Sequence, residues 1–268
     1  MAARLKGMGQ RKYWRDGDPQ TSGPGFGVVA HLSALEVPFR WRKPKRIFVN
    51  SMGDLFHESV PETFIGSVFN TMALTPQHTY QILTKRHARM RSLMCKWEAA
   101  GWMWRRDDMV WCGPVKGPLP NVWLGVSAED QKWADIRVPA LLDTPASVRF
   151  VSAEPLLGPV NLSPWLPRPF SPPEWAESGE PGPEDYPPML DWVIAGGESG
   201  PGARRCEMAW LALLAGQCAA SGTGFFCKQA GSVLGREWGA GSHGADWDAW
   251  PPELRIRQFP GTRQGAAA

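Results

Sequence analysis

The sequence has few of the features that assign a protein by inspection. Its five cysteines, Cys95, Cys112, Cys206, Cys218 and Cys227, are an odd number at irregular spacing with no CxxC pair among them. That excludes a disulfide framework and a thiolate zinc site, and reads as reduced, buried thiols in a cytosolic chain. Asp54, His57 and Glu58 lie three and four apart, as metal ligands on a helix can, but no second histidine cluster accompanies them, so capping and surface roles are expected. No run of eighteen apolar residues occurs, so no membrane-spanning helix is expected. The opening MAARLKGMGQRKYW has no apolar core of a secretory signal, and a cytoplasmic location is expected. There is no GxGxxG and no GxxxxGK[ST], so neither a dinucleotide fingerprint nor a P-loop is supported. The net charge of +3 is mild and argues against a dedicated nucleic-acid binder.

What is present is a repeated alternation. Ile47-Phe48-Val49 is a short apolar run that stops in Asn50-Ser51-Met52-Gly53-Asp54. A helix start follows, with Ser59 as the expected N-cap, Pro61 in the first turn and Glu62 closing a capping box. Phe64, Ile65, Val68, Phe69 and Met72 recur at helical spacing, which predicts a helix over 62–74. Tyr80–Leu83 reads as a strand ending in Thr84-Lys85-Arg86, and a helix follows from His87 to Ala100 with Met90, Leu93, Met94 and Trp97 inward and Gly101 as its stop. Val122–Val126 is the next strand. It ends at Ser127 and leads into a helix that Pro139 is expected to kink or split. Val148–Val151 ends in Ser152-Ala153-Glu154-Pro155, and Trp192–Ala195 runs into Gly196-Gly197-Glu198-Ser199-Gly200. A helix over 207–220 presents Met208, Leu211, Leu214 and Cys218, with Gly222 ending it, and Phe225–Cys227 is the last clear strand, closed by Lys228 and Gln229. Val28–Leu32 is a weak strand candidate.

Between these elements lie loops. Residues 1–6 look like the end of a helix, residues 1–45 a remnant of helix plus loop, and 101–120 and 163–188 insertions in a domain spanning 46–230. Residues 231–268 are rich in Gly and Trp without periodicity, an extension packed on that domain with a frayed end. The chain holds fifteen tryptophans, several in Pro-rich loops (Trp165, Trp175, Trp247, Trp250). Such rings stack bases in some proteins but more often plug a core.

Short, continuously apolar strands alternating with helices describe an α/β protein with a parallel sheet. In such a sheet the C-terminal strand ends share one face, where ligands bind in barrels and open sheets alike. The groups expected there are Asn50, Ser51, Gly53 and Asp54; Thr84, Lys85 and Arg86; Ser127; Glu154; Gly196, Gly197, Glu198 and Ser199; Lys228 and Gln229. Each alone has an ordinary reading as a cap or a satisfied loop group. Lys85, Glu154 and Lys228 follow apolar runs directly and are expected to be half buried and paired, which makes them the candidate catalytic groups. GGESG could be an anion-cradling backbone nest or simply a tight turn.

The blocks FVNSMGDLFHE, QILTKRHARM, LPNVWLGVSAEDQ, RFVSAEPLLGPV and WVIAGGESGPGAR resemble the bacteriophage family named after gene products thirty-seven and sixty-eight, over about residues 40–230. That uncharacterised family, also described as a three-Cys-motif partner, is similar to radical S-adenosylmethionine (SAM) enzymes. The resemblance implies a partial or near-complete parallel (β/α) TIM-like barrel, SAM and a [4Fe–4S] cluster as cofactors, and the cytoplasm of a host cell as location. It places Asn50–Asp54 at the amino-acid end of SAM, Thr84, Lys85 and Ser127 at its ribose or carboxylate, and Glu154 on the strand after these. In the family a three-cysteine segment precedes a stretch like MAARLKGMG, where this sequence starts. The first strand and the cluster loop are therefore expected to be missing, through a misassigned start or a fragment, and the cluster is not expected to bind this chain.

Three functions remain open on these residues. One is a radical-SAM-derived enzyme with its site at the strand ends. Another is a non-catalytic partner of a protein, such as a three-Cys-motif protein, or of nucleic acid, using basic clusters at 40–46, 85–91 and 105–106. The third is a cluster-independent barrel lyase or hydrolase acting through Glu154 and Lys85.

Overall fold

A computed structural model describes residues 27–50, 53–102, 117–167, 188–241, 244 and 246–260. The expected helix end at 1–6, Ser51, the basic cluster at 105–106, most of both insertions and the C-terminal tail lie outside the described residues. Six strands form one all-parallel sheet in the order β1-β2-β3-β4-β5-β6: β1 Arg46–Val49, β2 Thr79–Thr84, β3 Val122–Ser127, β4 Val148–Ala153, β5 Trp192–Gly196 and β6 Gly224–Gln229. Each strand anticipated in 46–229 is present, and the class is α/β. The order is linear, with β1 and β6 as its outer strands. The chain divides into two compact units, Met1–Trp123 with Pro145–Ser147, and Leu124–Thr144 with Val148–Ala268.

In the first unit, β1 pairs in parallel with β2, Ile47 opposite Tyr80 and Val49 opposite Ile82. Helix α1 (Glu62–Leu74) buries Ile65, Val68, Phe69 and Met72, the stripe that the spacing predicts. Its start differs from expectation. Pro61, not Ser59, is the N-cap, and no side chain caps it. The Pro61 carbonyl accepts from Phe64 and Ile65 N–H, and proline gives up no useful donor there. Ser59 lies two residues early, and its N–H donates to His57 Nδ1. Helix α2 (His87–Ala99) buries Met90, Leu93 and Met94. Trp97 is half-buried and meets Phe69 edge-on at 5.1 Å, which ties α2 to α1. Gly101, at φ +80°, lets the chain turn away.

The candidate strand at 28–32 does not form. Residues 27–31 are irregular and lead into 3₁₀ turns at Leu32–Glu36 and Pro38–Arg40, because no strand pairs with them among the described residues. His78 ties this segment down. The Lys45 N–H donates to its Nδ1, so Nε2 carries the proton that reaches the Pro38 carbonyl.

In the second unit, β4 pairs with β5 and β5 with β6, Val151 opposite Val193 and Val193 opposite Phe225. Gly125 in β3 is required, since a Cβ there would stand 2.5 Å from the Phe150 ring. Helix α3 (Gln131–Leu142) is capped by Asp130, which accepts the Trp133 N–H at 3.0 Å. Pro139 neither splits nor ends it. One helix runs through, and the Asp143 N–H still reaches the Pro139 carbonyl. Helix α4 (Met208–Ser221) buries Leu211, Leu214, Ala215 and Cys218 and ends at Gly222 in the left-handed region. Met208, expected inward, is 37% exposed, because it opens the helix one turn ahead of the packed stripe.

Helix α5 (Gly231–Glu237) was not anticipated. Its glycines hide the pattern but are needed, as a Cβ on Gly235 would stand 2.3 Å from Gly244 Cα. In the Gly/Trp-rich extension a tryptophan plugs the core. Trp250 is buried at 1% exposure and Trp247 stacks at 5.2 Å on it. The segment around Arg257 covers the outer edge of β6, with the Cys227 N–H donating to Ile256 and the Gln258 N–H to Phe225.

Candidate functional site

The first unit holds a cavity of about 650 Å³. One end is polar and lies where β1 and β2 finish, with Asn50, Gly53, Asp54, His57, Lys85 and Arg86. The walls are apolar: Val28, Leu35, Ile47, Val49, Phe64 and Met72 among others. Five of the groups expected on the ligand face, Asn50, Gly53, Asp54, Lys85 and Arg86, thus share one cavity. His57 was weighed only as a metal ligand or a surface group, and the wall at 27–41 was not anticipated, since the only signal there was a weak apolar run read as a strand.

Asp54 organises that polar end. Thr84 Oγ1 lies 2.7 and 2.8 Å from its two carboxylate oxygens, and the N–H groups of Phe56 and Lys85 donate to it at 2.9 and 3.0 Å. Thr84 Oγ1 in turn accepts the Arg86 N–H at 2.8 Å. Asp54 therefore fastens the tip of β1 to the tip of β2. Asn50 takes φ +57°, a left-handed turn that asparagine tolerates. From α2, Arg89 donates to the carbonyls of His57 and Val60 and holds the outer side of the same loop. Lys85 was expected to be half buried but is exposed. Its backbone is tethered to Asp54 while its side chain leaves the apolar run. Asp54→Ala removes a charged acceptor from three donors and is expected to cost about 2–3 kcal/mol by urea denaturation, with Asp54→Asn recovering part of it. A loss within error would show that the knot does not hold the loop.

In the second unit, β4 and β6 deliver a second pair. Lys228 Nζ donates to Glu154 Oε2 at 3.1 Å, and Ser152 Oγ lies 3.3 Å from the same oxygen. Glu154 is half buried as expected, at 14% side-chain exposure, whereas Lys228 stays 56% exposed because its ammonium can remain in water while pairing. Two of the three candidate catalytic residues are thereby brought together; Lys85 belongs to the other unit. Ser127 is buried at 5%, and its carbonyl accepts from Arg137 at 2.8 Å.

The GGESG run leaves β5 as an irregular segment laced to the end of β6 and to the start of α5. The Gly197 N–H donates to the Gln229 carbonyl, Gln229 Nε2 to the Gly197 carbonyl, and the Gly200 N–H to Ser232 Oγ. Ser199 is exposed. Glu198 is held by the guanidinium of Arg204 at 2.8 and 2.9 Å and by the Arg204 N–H, which lowers its carboxyl to about 2. A depressed carboxylate stabilises the fold above its unfolded value of 4.5, and that contribution disappears as pH falls toward 2. Arg204→Met is therefore expected to lower Tm at pH 7, where the contribution is fully present, and to leave Tm near pH 2 unchanged, so that the fall between about pH 4.5 and pH 2 flattens. An unchanged acid limb would remove the pair from the pH dependence.

The protein-family model "Protein of unknown function (DUF5131)" matches residues 1–251. The chain belongs to that family. No curated protein and no solved structure matches it. In this DUF5131 chain, no group of three or more His, Cys, Asp or Glu among the described residues could hold a metal ion. Among the described residues, the three buried cysteines do not offer the donor chemistry of an iron–sulfur cluster. Burial pushes the thiols of Cys206, Cys218 and Cys227 up to about 12, so they are neutral where a cluster needs thiolates. No helix among the described residues is long and apolar enough to cross a membrane.

Proposed function

We propose that this DUF5131 chain derives from a phage radical-SAM-type barrel enzyme and binds S-adenosylmethionine in the cavity of its first unit. The observation that carries the reading is the gathering of Asn50, Gly53, Asp54 and Lys85 around one end of a cavity whose volume, about 650 Å³, suits a ligand of that size. The sequence blocks around 50–54 and 84–85 supply the identity of the ligand, through their resemblance. Lys85 and Arg86 are cationic and meet the carboxylate of the amino-acid end, while the apolar walls cover the adenosyl group. Asp54 acts as a positioning residue, because its oxygens are already engaged by Thr84, Phe56 and Lys85. The described cysteines do not fit the cluster, and no radical step is assigned to this chain.

Isothermal titration of the chain with SAM tests the reading. Saturable binding is expected, weakened about tenfold by Lys85→Met through loss of one charge-assisted contact. No saturable heat, or equal affinity for the variant, would overturn it.

A second reading, a partner-binding surface, is favoured by one observation. Among the described residues, five of the eight exposed large hydrophobics, Val29, Leu32, Val37, Phe39 and Phe48, lie within residues 29–48. Leu32→Asp with Phe39→Asp would abolish partner capture while leaving SAM binding intact if this surface carries the function.

A further inference from the structure

Glu154 has a feature that the ligand cavity of the first unit does not use. Its Oε2 is held by Lys228 and Ser152, but its Oε1 is buried and has no hydrogen-bond partner. A carboxyl oxygen removed from water without a hydrogen-bond partner is costly, and such a group calls for an explanation. Glu154 stands at the C-terminal end of a parallel strand, the face on which α/β proteins bind ligands. The neighbouring strand end is Gly196, where a Cβ would stand 2.6 Å from Oε1, so the absence of a side chain keeps that oxygen uncrowded. Lys228 spends one donor on Glu154, and at 56% exposure its ammonium keeps others for an incoming acceptor.

We propose that the Glu154–Lys228 pair is a binding site for a small molecule that carries a hydrogen-bond donor beside a carboxylate. The donor, an ammonium or a hydroxyl, satisfies Glu154 Oε1, and the ligand's carboxylate meets Lys228. The ligand then lies against the pair as one dipole against another. Neither group is neutralised alone, which explains why the sheet brings a carboxylate and a lysine together from the ends of β4 and β6, on either side of β5, and leaves one oxygen of the carboxylate without a donor. Gly196 is a positioning residue, since any side chain there displaces Oε1. The site lies within the second unit and does not depend on SAM binding.

Three matched probes test it on the full chain by NMR titration: glycine, glycolate and acetate. The first two carry the donor on the carbon next to the carboxylate, and acetate lacks it. At least one of glycine and glycolate is expected to bind about tenfold tighter than acetate, the worth of one charge-assisted hydrogen bond. Amide shifts should centre on Glu154, Gly196 and Lys228. Whichever of the two binds better identifies the donor. Lys228→Met should weaken all three probes, and Glu154→Gln should erase the advantage over acetate while keeping acetate binding. Equal affinity for acetate, no saturable shift with any probe, or shifts centred elsewhere would overturn the site. The comparison among probes on the wild-type chain stands even if a variant folds poorly.

Discussion

Arg137→Met is expected to lower the stability of the chain by about 3–5 kcal/mol, a loss well beyond that of an ordinary point substitution. Arg137 and Glu129 form an ion pair at 3.0 Å whose side chains are only 6% and 9% exposed. The same guanidinium nitrogen donates to the Ser127 carbonyl at 2.8 Å, and the guanidinium lies 4.0 Å over the ring of Trp133. Arg137 therefore joins the end of β3, the loop after it and the face of α3. Removing it leaves Glu129 buried without its cation and a strand-end carbonyl without its donor. Both charges lost contact with water on folding, a cost that their pairing helps to offset. Removing both partners is a different perturbation. Glu129→Met with Arg137→Met leaves no uncompensated charge and should recover more than half of the loss. Urea denaturation of the three variants measures this. A single-variant loss below about 1 kcal/mol, in the range of a surface pair, would mean that water reaches the pair, and the account would fail.

That pair also marks how far the sequence could be read. The strands and the packed faces of α1 and α2 were legible because each rests on local periodicity: an apolar run of three to five residues, or a stripe at spacing three and four, has few alternative burials. The strand ends were legible as places, since a parallel sheet puts polar tips on one face whatever their identities. Roles were not legible, because they depend on pairings far apart in sequence. Asp54 reads as a ligand contact in isolation, but its oxygens are taken up by Thr84 and by the Phe56 and Lys85 N–H groups. Glu129 and Arg137 look like ordinary helix-start and helix-face charges, yet they are the buried pair. Helix α5 escaped notice because helix propensity penalises its glycines, while tertiary contact requires them. Pro139 was expected to kink or split α3, but it does not split it: a single missing donor is tolerated when Val138 and Leu141 on either side are fully buried.

The Gly197 position should be the least replaceable glycine in the second unit. A Cβ there would stand 2.2 Å from the Ala230 carbonyl oxygen, 2.8 Å from its carbon and 3.0 Å from Gly231 Cα. All three obstacles are backbone, so no side-chain rotation relieves them. Gly231 answers from the other side at φ +81°, its own missing Cβ facing the Glu198 carbonyl at 2.7 Å. The loop after β5 and the turn opening α5 are thus in direct backbone contact. That contact is held by the Gly197 N–H to the Gln229 carbonyl and the Ser232 N–H to the Glu198 carbonyl. Gly197→Ala must part the two loops and break this lacing, which is expected to cost about 3 kcal/mol or more. Gly196→Ala supplies the contrast. Its nearest obstacle is the far end of the Glu154 side chain, which can rotate, and only the Gln229 carbonyl at 3.0 Å is rigid. Its cost should be about 1 kcal/mol, accompanied by loss of glycine and glycolate binding at Glu154. The ordering is the test. If Gly196→Ala destabilises the chain as much as Gly197→Ala, the two loops are not locked by backbone contact. The Glu154 site would then owe its geometry to the rigidity of β5 and not to the missing side chain beside it.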